Sequence, residues 1–169
     1  MNIMSISLEN ANKDIPEFSL CGLTLKGKIV EVYDGDTCKI VLPLQSTLYK
    51  FTCRLNGIDS PEMKPRKDKP NRDNEILLAK KARQEFLKLI VPDNKTFDNY
   101  DIKKENICNE LEKNKNLVVV KCLEFDKYGR LLVELFSSES ETKSFNNILI
   151  EKNLCVSYDG GTKINPWTK

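Results

Sequence analysis

Three apolar runs of strand length follow one another between Leu25 and Ile58, each closed by a turn or a proline before the next begins. Leu25–Tyr33 reads Leu-Lys-Gly-Lys-Ile-Val-Glu-Val-Tyr and stops at Asp34-Gly35. An Asp-Gly step between apolar runs signals a hairpin, because glycine tolerates positive φ at no steric cost. Thr37–Leu42 resumes as a second strand, stopped by Pro43. Leu48–Ile58 sets Phe51, Cys53 and Leu55 on one face against Thr52, Arg54 and Asn56 on the other. Three consecutive strands point to a β-meander.

An amphipathic helix follows over Glu75–Ile90. Ile76, Ala79, Arg83, Phe86, Leu87 and Ile90 form its stripe, Asp73 or Asn74 is placed to cap it, and Pro92 enforces its stop. Leu117–Phe125 and Arg130–Phe136 read as two further strands joined by Asp126-Lys127-Tyr128-Gly129. Ser144 can cap a short helix, Phe145–Lys152, with Asn153 as its left-handed stop. The expected class is therefore α+β, mainly β. Five strands with a helix after the third and another after the fifth suit a Greek-key barrel of the OB type with two to three helices. Residues 1–22 read as a flexible polar extension, 92–116 as weakly patterned with at most a short helix around Ile107, Cys108 and Leu111, and 164–169 as a polar tail.

The 169 residues contain no histidine. That removes Ser-His-Asp and Cys-His nucleophiles, histidine general bases and histidine-bound zinc together. Chemistry must come from carboxylates, Arg, Lys, Tyr or Cys, with a hard cation held by oxygens as the natural companion. The net charge is only +2, so an electrostatic footprint for nucleic acid has to be local. The six cysteines lie no closer than fourteen positions apart, which excludes a CxxC motif. Cys38, Cys53 and Cys122 sit in strand-like runs, where a buried free thiol is the plain reading. The first 25 residues show neither a basic nor a continuous apolar signal region, and no apolar run approaches a membrane span. A cytoplasmic protein with free thiols and no membrane association is the expectation, secretion staying open if a leader precedes this chain.

Three short motifs carry the chemistry, and each has a bland reading. Asp34-Gly35-Asp36-Thr37 can be a turn, Ile58-Asp59-Ser60-Pro61-Glu62 a strand end, and Asp126-Lys127-Tyr128-Gly129-Arg130 a hairpin loop. Arg54, inside an apolar strand, needs an anionic partner, which an internal salt bridge would satisfy. Met63–Arg72 breaks all periodicity with Pro65 and Pro70, and sets Lys64, Arg66, Lys67, Lys69 and Arg72 against Asp68 alone. Taken together, the motifs form a set. Asp36 and Asp59 end strands that a meander brings together, Glu62 lies just beyond, and Arg54 and Arg130 can clamp a phosphate. A cation, a carboxylate base and two arginines suffice for phosphodiester hydrolysis without histidine.

The order and spacing of these blocks resemble the staphylococcal nuclease (thermonuclease) family over about residues 24–162, with an insertion near 92–116 in a domain spanning 23–163. The resemblance implies an OB barrel and calcium-dependent endonucleolytic cleavage of DNA and RNA, single-stranded or locally open, leaving 3′-phosphate ends. It implies Asp36, Asp59 and the Ser60 backbone carbonyl as Ca2+ ligands, Glu62 as general base, and Arg54 and Arg130 as the arginines on the scissile phosphate. Lys127 and Tyr128 fall where the family contacts a terminal phosphate, and Tyr158 where a tyrosine packs near the nucleotide. Lys64, Arg66, Lys67 and Lys69 correspond to a basic loop that steers substrate. The family default is a monomer. Two other readings stay open: a catalytically inactive nuclease-like module binding nucleic acid or protein, and a plain structural OB domain. Inactive copies typically lose the acidic and arginine positions, all of which this chain retains.

Overall fold

Strand β1 (Thr24–Val32) turns through Asp34–Asp36 into β2 (Thr37–Leu44), and β2 turns through Gln45-Ser46 into β3 (Thr47–Leu55). The structure, a computed structural model, describes residues 8–161 and 166–168. Residues 1–7 of the expected extension, and 164, 165 and 169 of the expected tail, lie outside the described residues. A short strand β4 (Ile58–Asp59) follows, then helix α1 (Arg72–Ile90), a 3-10 turn (Lys95–Asp98) and helix α2 (Lys104–Lys113). Strands β5 (Val118–Phe125) and β6 (Leu131–Phe136), helix α3 (Phe145–Glu151) and β7 (Val156–Ser157) complete the order, with a second 3-10 turn at Pro166–Thr168.

Five strands close a barrel in the order β1-β2-β3-β6-β5, and β4 pairs with β7 outside it. Every neighbouring pair in the barrel is antiparallel except β3 and β6, which run parallel with Arg54 opposite Leu132. This is the α+β OB barrel expected, with three α-helices. Closure depends on β1, whose first half pairs with β5 and whose second half pairs with β2. Gly27 stands where the strand changes partners. A Cβ there would lie 2.7 Å from Leu42 Cδ2 and 2.8 Å from Ile40 Cγ2, so only glycine lets the strand cross so close to the interior. Ile29, Ile40, Leu42, Leu55, Val120, Leu131, Val133 and Leu135 fill the barrel. Cys38 and Cys53 face each other across β2 and β3 inside it, and burial pushes the Cys53 thiol up to about 12. All six cysteines are free.

Several local expectations change. β2 runs through Pro43 to Leu44, because β1 has already left β2 beyond Val41 and no ladder donor is needed on that side. Gln45 and Ser46 both take positive φ, the two-residue hairpin geometry that matches strand twist. The run expected to reach Ile58 breaks at Asn56-Gly57, where Gly57 has φ +76°, and β4 then leaves the barrel to pair with β7. Helix α1 starts at Arg72 after Asn71 in the left-handed region, so neither Asp73 nor Asn74 caps it. Its buried stripe includes Ala79, Arg83, Phe86, Leu87 and Ile90 as expected, together with Ala82 and Glu75. Phe86 meets the Phe145 ring of α3 edge-on at 6.5 Å. Ser144 accepts the Asn147 N–H at the start of α3, and Asn153 has φ +56° just past its end.

Residues 92–116 are more ordered than their composition suggested. Phe97, Ile107 and Leu111 are fully buried in the main core. Polar ties hold the segment to its neighbours: Gln84 donates to the Phe97 carbonyl, Arg83 to that of Ile102, and Lys104 pairs with Glu31 of β1 at 2.9 Å. The extension also has an anchored end, since Leu20 is buried and the Gly22 N–H donates to the Cys122 carbonyl.

Candidate active site

The turn before β2, the end of β3, β4, the β5–β6 loop and the residues after β7 converge at one end of the barrel around a cleft of about 1040 Å3. Asp34 builds the first wall. Its Oδ1 accepts the N–H groups of Asp36 (3.0 Å) and Thr37 (2.8 Å), fixing the turn that presents Asp36. Burial, with repulsion from Asp36 and Glu62, outweighs those hydrogen bonds and pushes the Asp34 carboxyl up to about 7. Gly35 serves this turn by close approach. Its φ is not positive, contrary to the hairpin expectation, but a Cβ there would lie 2.8 Å from Ala82 Cβ and 2.9 Å from Ser60 Cβ.

Arg54 lies at the centre. Its Nη1 donates to Asp36 Oδ1 at 2.7 Å, and its Nη2 to Asp59 Oδ1 at 2.8 Å and to the Ile58 carbonyl at 3.1 Å. Asp36 also accepts the Thr37 hydroxyl on Oδ1 and the Ser60 N–H, at 2.7 Å, on Oδ2. Burial alone would lower the Arg54 pKa, but Asp36 first, then Asp59 and Asp34, raise it above its ordinary value. The Tyr158 ring lies 5.8 Å from the guanidinium carbon, placed by the bond from its own N–H to the Gly57 carbonyl. These bonds engage three of the five guanidinium donors.

Arg130 comes from the opposite wall. Asp126 Oδ1 accepts the N–H groups of Tyr128 and Arg130, and its Oδ2 takes Nε and Nη2 of Arg130, each at 2.7 Å. Burial would raise the Asp126 pKa, but these bonds from Arg130 and Tyr128 hold it below the usual range. Gly129 closes the loop at φ +76°. Tyr128 is 72% exposed, with Lys127 Nζ 5.2 Å and the Arg130 guanidinium 5.4 Å from its ring.

Glu62 lines this cleft and an adjoining shallower groove with Lys64, Pro65, Arg66, Asp68, Lys69 and Pro70. Lys64 is exposed there, Lys67 is exposed on the same loop outside the groove, and Arg66 pairs with Asp68 at 3.0 Å. Lys69 is placed differently from the other loop cations: its Nζ lies 2.5 Å from Oε2 of the buried Glu75. The structure thus brings Asp36, Arg54, Ser60, Glu62, Lys127, Tyr128, Arg130 and Tyr158 to one cleft. Asp59 sits behind it, joined through Arg54.

Sequence reasoning gave no role to Asp126 or Glu75. Asp126, four residues before Arg130 in a hairpin loop, carried a recognisable signal, since a carboxylate there can reach both the turn amides and the arginine. Glu75 carried none beyond being an acid in the first turn of a helix.

The donor set fits a hard cation. Asp36 and Asp59 offer carboxylate oxygens, the Ser60 backbone adds a carbonyl, and flexible oxygen coordination is what Ca2+ accepts. Three buried carboxylates, those of Asp34, Asp36 and Asp59, surround the buried Arg54 guanidinium, with Glu62 exposed at the cleft beyond them. Among the described residues no three acidic or thiol side chains close on a single point, so a cation here would need the backbone carbonyl and water as further ligands.

The family model described as staphylococcal nuclease homologue matches residues 52–165, more than half of the chain. The matched stretch contains Arg54, Asp59, Glu62 and Arg130 and begins after Asp36. No curated protein matches the chain.

Proposed function

Because the chain belongs to the staphylococcal nuclease homologue family, we propose that it is a calcium-dependent endonuclease hydrolysing phosphodiester bonds of DNA and RNA and leaving 3′-phosphate ends. The observation that carries this reading is the convergence of Arg54, Arg130 and Glu62 on one cleft beside the carboxylate of Asp36. The cleavage polarity rests on the family resemblance.

Asp36, Asp59 and the Ser60 carbonyl would hold the cation. When bound, Ca2+ supplies Lewis-acid polarisation of a phosphoryl oxygen and offsets the charge of the acidic cluster. The remaining work belongs to the chain. Arg54 keeps two donors, and Arg130 three, beyond those engaged by carboxylates and the Ile58 carbonyl, and these would serve the oxygens on which charge grows during attack. Both guanidiniums are held by aspartates before substrate arrives, so little reorganisation is needed at the reacting centre. Glu62 accepts the proton of the attacking water. Tyr128 and Tyr158 offer ring faces to bases, and Lys127, Lys64, Arg66 and Lys67 offer charge to the flanking phosphates. These groups read backbone rather than base edges, so base preference is weak.

The test is degradation of plasmid DNA and total RNA by the purified protein in Ca2+ and in EGTA, alongside Glu62→Ala and Arg130→Ala. Calcium-dependent cleavage abolished in both variants is the expected result. Tight binding without cleavage across metals and pH would establish the inactive binding module instead.

A further inference from the structure

Glu75 is a carboxylate 1% exposed, at the start of α1 and on the side facing the loop that follows Glu62. A buried charge needs paired and hydrogen-bonded partners to be tolerated. The helix N-terminus favours an anion, and two groups reach it from the same loop. The Glu62 backbone N–H donates to Oε1 at 3.3 Å, and Lys69 Nζ lies 2.5 Å from Oε2. One carboxylate therefore holds both the first residue of the loop and one near its end. Between them residues 63–71 have no helix or strand, and Pro65 and Pro70 lack amide donors. Other ties lie within the loop or at its junction with α1, among them Lys69 N–H to the Arg66 carbonyl, the Arg66–Asp68 pair at 3.0 Å, and Arg72 Nε to the Pro65 carbonyl at 3.3 Å.

We propose that Glu75 is a positioning residue that fixes Glu62 at the mouth of the cleft, and that Lys69 serves this anchor rather than substrate phosphates. The inference rests on the assignment of Glu62 as the base. Losing the anchor lets the loop swing outward with its exposed cations intact, so substrate is still drawn in while the base stands in the wrong place.

Two readouts test this on the full-length chain: kcat and KM on a single-stranded oligonucleotide in Ca2+, and amide hydrogen exchange at Glu62 without metal or substrate. Glu75→Ala is expected to lower kcat by roughly 10- to 100-fold, the scale of an ångström-size misplacement, with KM within about 3-fold. Glu62 amide exchange should quicken at least about tenfold while that of Leu55, bonded to the Asp36 carbonyl in the barrel, stays slow. Glu75→Gln keeps the acceptor and should recover at least about half of the wild-type kcat and the amide protection. Lys69→Met should lower kcat a few-fold at constant KM. Wild-type kcat or an unprotected Glu62 amide already in the parent protein would overturn the anchor, as would Lys69→Met raising KM about tenfold. If Glu75→Ala fails to fold, Glu75→Gln and Lys69→Met carry the comparison. An inactive wild type, or a fully active Glu62→Ala, would overturn the assignment of Glu62 instead, and the exchange data would still decide whether Glu75 holds the loop.

Discussion

Replacing Gly35 by alanine should damage stability and catalysis together. The added Cβ would stand 2.8 Å from Ala82 Cβ and 2.9 Å from Ser60 Cβ, with Cys155 Sγ at 3.4 Å. Carbon atoms in contact prefer about 3.5–4.0 Å, so two neighbours must retreat by roughly 0.7 Å each. Both are β-carbons fixed to backbone, one on α1 and one on the residue whose N–H grips Asp36, so no side-chain rotation relieves the clash. Overpacking of this kind costs about 1–3 kcal/mol, and about 2 kcal/mol corresponds to a fall in Tm of about 4–8 °C for a chain of this length. Urea unfolding measures the loss, and calcium titration of the same variant reads the displacement of Ser60 from Asp36. The control is Ala82→Gly, which alone costs about 1 kcal/mol in a helix interior but removes one of the two clashes. In the double variant the two effects should fail to add by at least about 0.5 kcal/mol. A Gly35→Ala protein within about 0.5 kcal/mol of wild type, or strict additivity with Ala82→Gly, would refute the steric argument.

Arg54→Ala should lower kcat by roughly 10²-fold or more, since the guanidinium is a preorganised donor in the cleft; steady-state cleavage checks it, and an unchanged rate would remove Arg54 from the chemistry. The Asp126 carboxyl titrates below its unfolded value, so its stabilising contribution is present above the unfolded pKa near 3.8 and lost as pH falls through the folded one. Urea midpoints from pH 6 to pH 2 should therefore show wild type losing stability in acid that Asp126→Asn lacks at every pH, and parallel curves would contradict this. Phe97→Ala should cost about 3–5 kcal/mol by urea unfolding, because the side chain is fully buried in the main core. A cost below about 1 kcal/mol would mean that the 92–116 segment only rests on the barrel.

The barrel was legible because period-two alternation and turn residues are local signals, and β1, β2, β5 and β6 lie where those signals put them within one or two residues. The capping serine at 144 and the left-handed Asn153 were legible for the same reason. Features set by distant chain segments were not. Nothing near Pro43 announces that β1 leaves β2 beyond Val41, and nothing near Ile58 announces that β7 waits ninety-nine residues away. The packing of Phe97, Ile107 and Leu111 was hidden because Asn and Lys surround them, and a short segment can bury isolated apolar residues without any periodic stripe. In the site, the motif residues were visible by type and order, and most of them share one cleft. What they touch was not visible. The Arg54 bridge between Asp36 and Asp59 and the Glu75 contact to the loop depend on how β3, β4 and α1 come together. The reason for Gly35 also changed, from backbone conformation to the nearness of a helix.

The most direct measurement is the initial rate of cleavage of a single-stranded oligonucleotide against Ca2+ concentration, for wild type and Asp36→Asn. The account predicts no cleavage in EGTA, a saturable rise with Ca2+, and a midpoint moved to higher Ca2+ by Asp36→Asn. Cleavage at the same rate in EGTA, or none at any Ca2+ concentration, would contradict it.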